Sequence, residues 1–391
     1  MKIVIVGGSS SGLFAALKIK NEDNEVLVLD HNDELGKKIL VTGNGRCNYW
    51  NSDMDNSHFH SNNDLSMLLT DDIKEETLNS FNDLGILPLI KNGYYYPYSN
   101  QATTIRDMFI QELDKRNISY KLNYDVNKIE YINNKYIIND EIEADKVIIA
   151  AGGNAAPVTG SNGSIMNVIN NLGIKTFKQL PSLVPLYTDG EYNNFWNGIR
   201  TNAKLSIYID GELVKEEQGE LQLTQNGISG ICVFNISRYA SIALDESKHV
   251  NVKIDFIPDV DDIISYASKF DLNIYEILSR ILNKKLVKII LDKADINSSA
   301  HISSLTSKEI SSLNKYIKEF SVNVISVGDF TKAQTTIGGV DLNELDSNLE
   351  SKKYKGLYFT GEVVDVDGDC GGYNLGFAWM SALIVSKAIN R

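Results

Sequence analysis

The chain has 391 residues, 43% hydrophobic and 23% charged, which is typical of a globular protein with about two or three domains. Its formal net charge of −13 argues against a nucleic-acid or anionic-membrane partner, because binding to either needs a basic surface. The three cysteines form no C-x-x-C motif, so they predict neither a zinc site nor a redox dithiol. Scattered thiols and a first apolar run too short to span a bilayer lead us to expect a cytoplasmic protein.

The N-terminal segment predicts a β-strand, a glycine turn and a helix. Residues 2–6 form an uninterrupted apolar strand, residues 12–20 have a helical pattern, and residues 25–30 form a second buried strand. Apolar strands on either side of a helix indicate a parallel sheet covered on both faces. Residues 101–117 predict an amphipathic helix, and residues 145–153 predict a further buried strand that ends in glycines.

The middle of the chain has a different pattern. Residues 119–131 and 135–138 alternate in polarity on either side of Asn133-Asn134 and predict a β-hairpin. From about residue 186 the chain alternates around Asp210-Gly211, a strong hairpin signal, and again in HVNVKIDFIP. Residues 261–321 contain neither Gly nor Pro and predict helices.

The C-terminal segment returns to the pattern of the first domain, with a buried strand in GLYFTGEV and then a glycine turn and a helix. We therefore predict an α/β fold: a discontinuous Rossmann-like domain with an inserted β-rich, barrel-like domain and a small helical subdomain. The predicted boundaries are 1–185 and 331–391 for the first domain, 186–258 and 318–330 for the β-rich domain, and 259–317 for the helical subdomain. We expect the inserted residues to supply the substrate side of the pocket.

The turn after the first strand, GGSSSG, matches the G-x-G-x-x-G pattern of dinucleotide-binding loops except that Ser9 replaces a glycine. A helix N-terminus offers unpaired N–H groups to a phosphate, and the Ser9 hydroxyl can donate to a phosphate oxygen. Asp30 ends the second strand, where an acid binds a ribose hydroxyl and favours FAD or NAD over NADP. An ordinary α/β turn with chance glycines is the alternative, and the strand context and the placed acid disfavour it.

Two other polar segments are ambiguous. In LGKKILVTGNGRCN, Lys38 and Arg46 can face a phosphate or a carboxylate, although the segment by itself fits a surface turn better. In DVDGDCGGYN, the spacing of the acids is not that of an EF-hand, since Cys370 stands at position six. His58 and His60 fit a polar surface loop better than a metal pair, so no metal site is predicted.

Several segments, taken in order, resemble the BaiN-like flavoproteins, FAD-binding proteins that include bile-acid-type enone reductases and aminoacetone oxidases. These segments are GGSSSGLFAA, LGKKILVTGNGRCN, GYYYPYSNQA, AAGGNAAPVTGSNG, PSLVPL, GELQLTQNGISG, TTIGGVDLNEL and GLYFTGEVVDVDGDCGGYNLGFAW. The resemblance covers almost the whole chain, and the second and last segments are the most distinctive. It implies that the Rossmann-like domain binds FAD.

The resemblance also implies a role for each matching position. The FAD pyrophosphate would lie on Gly7, Gly8, Ser9, Ser11 and Gly12, with Ala151 and Gly152 nearby, and the adenosine ribose on Asp30. Lys38 and the loop residues Gly43, Gly45, Arg46, Cys47 and Asn48 would lie along the cofactor, and Val126 would face the adenine. Gly361 and Glu362 would hold the ribityl chain, and Gly372, Tyr373, Asn374 and Leu375 would present N–H groups to the flavin's pyrimidine edge.

Some positions depart from the family pattern. Gln225 stands where relatives carry His, and Ile231 stands where they carry Pro. If that His takes part in proton transfer, this chain lacks the group, because Gln cannot titrate, and the catalytic residue stays unassigned.

The function that the resemblance implies is an FAD-dependent oxidoreductase, with NAD(P)H-linked reduction of an activated C=C bond in a small organic substrate. No second G-x-G-x-x-G follows a strand, so NADH or NADPH would bind only transiently over the flavin. Two alternatives stay open: an aminoacetone-type amine oxidase that uses O2, and a non-catalytic flavin-binding sensor or interaction protein. We expect a monomer or homodimer without nucleic-acid or membrane partners.

Overall fold

A computed structural model describes residues 1–391, which form two compact units. Residues Met1–Leu180 and Ala333–Arg391 build the first unit, and residues Pro181–Lys332 build the second. All of the predicted cofactor contacts belong to the first unit. No helix combines the length and the apolar composition that crossing a bilayer requires.

The centre of the first unit is a five-stranded parallel sheet. Its strands, in spatial order, are Leu357–Phe359, Lys146–Ile149, Lys2–Val6, Glu25–Leu29 and Ser119–Lys121. Ile3, Val4 and Ile5 have no exposed surface, as expected for a strand covered on both faces. The predicted parallel sheet is therefore confirmed.

Six α-helices belong to the first unit: Ser10–Ile19, Lys37–Val41, Asp71–Asp83, Ala102–Lys115, Ile165–Asn171 and Tyr373–Ile389. The first and the last of them pack against each other, and the ring centroids of Phe14 and Trp379 lie 5.8 Å apart. Every residue from Gly376 to Ser386 is buried, so the C-terminal helix is a core element of this unit. The unit also contains four short 3-10 helices: Asn56–His58, Pro157–Thr159, Leu342–Glu344 and Gly361–Val363.

Smaller sheets surround the parallel one. Their paired strands are Ile142–Ala144, Lys135–Ile138 and Ile129–Ile132; Trp50–Asn51, Tyr94–Pro97 and Pro88–Lys91; Phe59–His60 and Asp367–Gly368; and Thr176–Ser182 and Thr335–Val340. The hairpin around Asn133-Asn134 is confirmed. The prediction of one strand over 119–131 is wrong, because the chain turns at Asn123, which has φ +52°, and leaves the parallel sheet. Backbone hydrogen bonds from Asn123 and Tyr124 to the turn after Asp30 hold this departure in place.

The second unit contains a closed, six-stranded antiparallel barrel. Its strands, in spatial order, are Leu186–Thr188, Gly227–Ser229, Glu212–Thr224, Arg200–Ile209, Val250–Asp255 and Phe320–Val327. The longest pair of strands is joined at Asp210-Gly211, as predicted. The alternating residues Leu205, Ile207 and Val252 are fully buried, which confirms a barrel-like, β-rich insertion in the α/β fold.

Helices complete the second unit: Asn193–Trp196, Ile231–Asp245, Ile263–Ala267, Ile274–Leu278, Lys284–Lys293 and Ser307–Lys318, with a 3-10 helix at Ile302–Ser304. Leu286 and Ile290 of one helix are completely buried and belong to the same hydrophobic core as the barrel residues. Gln225 lies in an exposed turn between two barrel strands, and Ile231, at the start of a helix, is 42% exposed.

Candidate cofactor site

The turn between the first strand and the first helix can only be built with glycine at two positions. Gly7 has φ +110°, and a Cβ there would overlap the Ala150 carbonyl group. A Cβ at Gly12 would overlap the Gly7 carbonyl oxygen. These two close approaches bring the helix N-terminus directly to the end of the strand, as a phosphate-binding turn requires.

Ser9 occupies the N-cap position of this helix without making a side-chain cap. Its Oγ is buried and has no hydrogen-bond partner in the protein. A buried hydroxyl without a partner is unfavourable unless a ligand supplies one. The replacement of glycine by serine therefore leaves a donor available at the position where a phosphate would lie.

Asp30 joins the two turns that follow the first and second strands. Its Oδ2 accepts the Gly8 N–H at 2.7 Å, and its Oδ1 accepts the Asn32 N–H at 2.8 Å. Each carboxylate oxygen can accept a second hydrogen bond, so Asp30 is still able to accept a ribose hydroxyl. Asp30 therefore also has a structural role, which its position in the sequence does not reveal.

An ion pair connects distant parts of the chain at the same place. Lys38 Nζ donates to Glu362 Oε2 at 2.6 Å and to Ser161 Oγ at 3.3 Å. Thr336 Oγ1 donates to the other Glu362 oxygen at 2.7 Å. The two charges compensate each other, and each side chain is 18% exposed.

Except for Gly8, Gly12 and Thr336, these residues line one cleft at the carboxyl ends of three neighbouring parallel strands, where α/β sheets bind ligands. The structure brings many of the predicted contacts together there: Gly7, Ser9, Ser11, Asp30, Lys38, Val126, Ala151, Gly152, Glu362, Asn374 and Leu375. The cleft therefore runs from the first glycine turn to the start of the C-terminal helix.

The remaining predicted contacts do not line the cleft: Gly8, Gly12, Gly43, Gly45, Arg46, Cys47, Asn48, Gly361, Gly372 and Tyr373. Some of them support it from behind, since a Cβ at Gly361 would lie 2.6 Å from Ser11 Oγ. The loop Gly43–Asn48 adjoins the start of the C-terminal helix, where a Cβ at Gly372 would lie 3.1 Å from the Asn48 side chain.

Sequence reasoning missed part of the lining. The segment from Thr159 to Ile165 lines the cleft, as do His31, Asn32 and Tyr124. Thr159–Ile165 had a signal, because it overlaps the glycine-rich segment AAGGNAAPVTGSNG after the strand Lys146–Ile149. The sequence gives no such signal for Tyr124. This residue lies at the cleft because the chain turns at Asn123, inside the segment 119–131 that was predicted to be one strand.

The start of the C-terminal helix is surrounded by polar groups. Asp369 accepts hydrogen bonds from His58 Nδ1 and His60 Nε2, both at 3.0 Å. The His58 ring stacks on Tyr373 with a centroid distance of 4.4 Å. The two histidines are partly buried, with 29% and 17% of their side chains exposed, rather than lying on an open surface. Burial raises the pKa of the neighbouring Cys370 thiol to about 11.

This chain matches one protein family and several known proteins over nearly its whole length. A family described as "HI0933-like protein Rossmann domain" matches residues 1–388. The chain belongs to the HI0933-like Rossmann family. The relationship predicted from the motifs is therefore confirmed.

Two known proteins align with the chain over nearly its whole length. The chain is 33% identical to the 3-dehydro-bile acid delta(4,6)-reductase of Clostridium scindens, an alignment that covers 99% of this chain and 98% of the relative. It is 28% identical to the ribosomal RNA dihydrouridine synthase of Haemophilus influenzae, with the same coverage.

Solved structures share the fold of this HI0933-like chain. A flavocytochrome c3 fumarate reductase in an open conformation has a TM-score of 0.50 at 14% identity, over 100% of this chain and 78% of that protein. The 3-ketosteroid delta1-dehydrogenase of Sterolibacterium denitrificans also has a TM-score of 0.50, at 11% identity, over 99% and 98%. At these identities the likeness concerns the fold alone.

Proposed function

We propose that this chain is an FAD-dependent oxidoreductase that reduces an activated C=C bond in a small organic substrate, with NADH or NADPH as the electron donor. The observation that carries the proposal is the cleft, whose glycine turn, unpartnered Ser9 hydroxyl and buried Asp30 fit a dinucleotide. The relative in Clostridium scindens, a 3-dehydro-bile acid delta(4,6)-reductase, suggests the type of reaction.

The residues of the cleft fit FAD from one end to the other. Ser9 and the N–H groups of the helix Ser10–Ile19 would hold the pyrophosphate, and Asp30 would hold the adenosine ribose. Glu362 would accept from the ribityl chain while Lys38 and Thr336 fix its carboxylate. Backbone N–H groups at Asn374 and Leu375, in the first turn of the C-terminal helix, would stabilise negative charge on a flavin.

When bound, FAD would supply the transfer of two electrons between the donor and the substrate. The protein would position the flavin and the substrate and would stabilise charge that develops on them. The Lys38–Glu362 pair itself adds no net charge to the cleft.

The charge of the chain favours a small substrate over RNA. Relatives in Haemophilus influenzae and Escherichia coli are ribosomal RNA dihydrouridine synthases, at 28% and 26% identity. RNA binding depends on many cationic contacts with phosphates, whereas this chain has a net charge of −13.

The test is an anaerobic reduction of the purified protein. We expect a yellow protein that releases FAD on denaturation, identified by mass spectrometry, and a flavin absorbance that is bleached by NADH or NADPH. Addition of a neutral 3-oxo-4-ene steroid should restore the absorbance and yield the saturated ketone. Bleaching by aminoacetone alone would contradict the reductase in favour of an amine oxidase, and a protein that contains FMN, NAD or no ligand would contradict the cofactor.

A further inference from the structure

Arg46 is fixed in place but has no acidic partner. Its Nε donates to the Gly43 carbonyl at 3.1 Å, and its guanidinium lies 5.0 Å from the centroid of the Tyr96 ring. No ion pair joins it to any Asp or Glu, whereas Lys38 of the same unit is paired with Glu362. A guanidinium held through Nε and one face keeps its two Nη groups for a ligand, and this fork matches a carboxylate.

The surroundings of Arg46 are aromatic and apolar. Tyr94 and Tyr96 are two residues apart on one strand and therefore share a face, and Leu89 lies opposite Tyr96 in the neighbouring strand. Tyr96 is 7% exposed and Tyr94 is partly buried, and this burial raises the pKa of both tyrosines. Leu89, Tyr94 and Tyr96 thus form an aromatic wall, and Arg46 is a fixed cation at one end of it.

This wall reaches the start of the C-terminal helix without belonging to the cleft. A Cβ at Gly371 would lie 2.9 Å from Tyr94 Cε1, so the Tyr94 ring lies directly against that turn. Asn374 and Leu375, one turn further on, line the cleft, whereas Arg46, Tyr94 and Tyr96 do not. A molecule bound along the wall would therefore lie next to the part of the cleft that we propose holds the flavin, which is where a substrate must bind.

We propose that Arg46 binds the carboxylate of the substrate, with the hydrocarbon part of the substrate against Leu89, Tyr94 and Tyr96. The proposal rests on the proposed function and narrows its substrate to an organic monoanion with an apolar body. It also assigns Arg46 to the substrate instead of to FAD. A polyanion such as RNA would need many unpaired cations, whereas this face offers Arg46 and the exposed Lys91, opposite Tyr94, in a chain of net charge −13.

The experiment compares a 3-oxo-4-ene steroid carboxylic acid with its methyl ester as ligands of the FAD-loaded protein. Binding is followed by calorimetry and by the change in flavin absorbance, and FAD content is measured in every preparation. The variants are Arg46→Gln, Arg46→Lys and, as a matched control, Arg200→Gln, at an exposed residue of the second unit that pairs with Glu220.

We expect the wild type to bind the acid at least about tenfold more tightly than the ester, because a charge-assisted fork is lost with the ester. Arg46→Gln should remove this preference while FAD content and ester binding stay unchanged, and Arg46→Lys should keep part of it. Arg200→Gln should behave as the wild type.

The proposal is overturned if the wild type does not prefer the acid or does not bind it, or if Arg46→Gln loses FAD, which would assign Arg46 to the cofactor. It is also overturned if Arg46→Gln leaves acid binding intact but abolishes binding of a uridine-containing ribosomal RNA hairpin. Reduction of the ester by NADH or NADPH tests the proposed function separately from the role of Arg46. If the protein reduces the ester without preferring the acid, the inference about Arg46 is refuted and the proposed function stands.

Discussion

Lys38 Nζ lies 2.6 Å from Glu362 Oε2, although the two residues are 324 positions apart in the chain. The pair links the segment after the second strand to the segment that leads into the C-terminal helix, inside the cleft. Thr336 and Ser161 add hydrogen bonds to its two ends. This polar network joins segments of the cleft that are distant in the sequence.

Lys38→Met should reduce the free energy of unfolding by about 1 to 3 kcal/mol, because Glu362 would be left partly buried without its cation. The double variant Lys38→Met/Glu362→Gln should recover part of this loss, since it leaves no unpaired charge. The measurement is urea unfolding followed by circular dichroism. The control is Lys37→Met, which removes an exposed pair with Asp33 and should cost little. Equal losses for Lys37→Met and Lys38→Met would contradict a special role of the cleft pair.

Ser9→Gly should change the dissociation constant of FAD by less than about tenfold, or roughly 1.4 kcal/mol. The variant loses a hydroxyl that has no partner within the protein, and it gains the close approach that glycine permits. The two effects act in opposite directions. Titration of the apoprotein with FAD, followed by flavin fluorescence, measures the result. A larger loss would mean that the hydroxyl dominates phosphate binding.

Gly12→Ala should have a much larger effect than Ser9→Gly, because its Cβ would overlap the Gly7 carbonyl oxygen. Overpacking of this kind typically costs about 1 to 3 kcal/mol and here would also move the helix N-terminus away from the phosphate. We expect lower FAD content and a lower midpoint of thermal unfolding. Gly219→Ala is the matched control, since the added Cβ would meet its nearest atom at 3.6 Å, an ordinary contact. If the two variants behave alike, the turn does not depend on the close approach at Gly12.

Local patterns predicted the fold class and one end of the site. The apolar run Ile3–Val6, the glycine turn and Asp30 are signals within about thirty residues of each other, and the structure places them around one cleft. The Lys38–Glu362 pair has no such signal, because it depends on how distant segments meet. The prediction of one strand over 119–131 failed for the same reason, since the turn at Asn123 is held by hydrogen bonds to the region around Asp30.

The contact between His58 and Asp369 also had no signal in the sequence, because the two residues are 311 positions apart. This contact should make the stability of the protein depend on pH. Burial lowers the pKa of His58, but hydrogen bonds to Asp369 and Asp53 outweigh it, so the pKa is raised above its ordinary value of 6.5. Burial raises the pKa of Asp369, but the hydrogen bonds from His60 and His58 outweigh it, so the pKa is lowered below 3.8. A raised histidine pKa contributes stability that is complete below 6.5 and is lost as the pH rises through the folded-state value. The contribution of Asp369 is complete above 3.8 and is lost as the pH falls through its lowered value.

His58→Gln should therefore lower the free energy of unfolding more at about pH 5.5 than at about pH 8.5. Gln can keep a hydrogen bond to Asp369 but cannot carry the charge that Asp369 and Asp53 stabilise. Urea unfolding at the two pH values measures the difference. His249→Gln, at an exposed histidine of the second unit, is the control for the substitution itself. A loss that does not vary with pH would mean that His58 acts only through the packing of its ring on Tyr373.

The thiols should be inert in the folded protein. Burial raises the pKa of Cys47 and of Cys232 to about 12, and that of Cys370 to about 11. Only the thiolate reacts, and at about pH 8 such pKa values leave well under about one thiol in a hundred ionised. A disulfide reagent such as Ellman's should therefore react slowly with the native protein and titrate three thiols after unfolding in guanidinium chloride. Rapid reaction of one thiol in the native state would contradict this expectation. Cys370→Ser would then identify its source, because Cys370 is the one of the three that is not completely buried, and reaction there would place a reactive thiol at the start of the C-terminal helix.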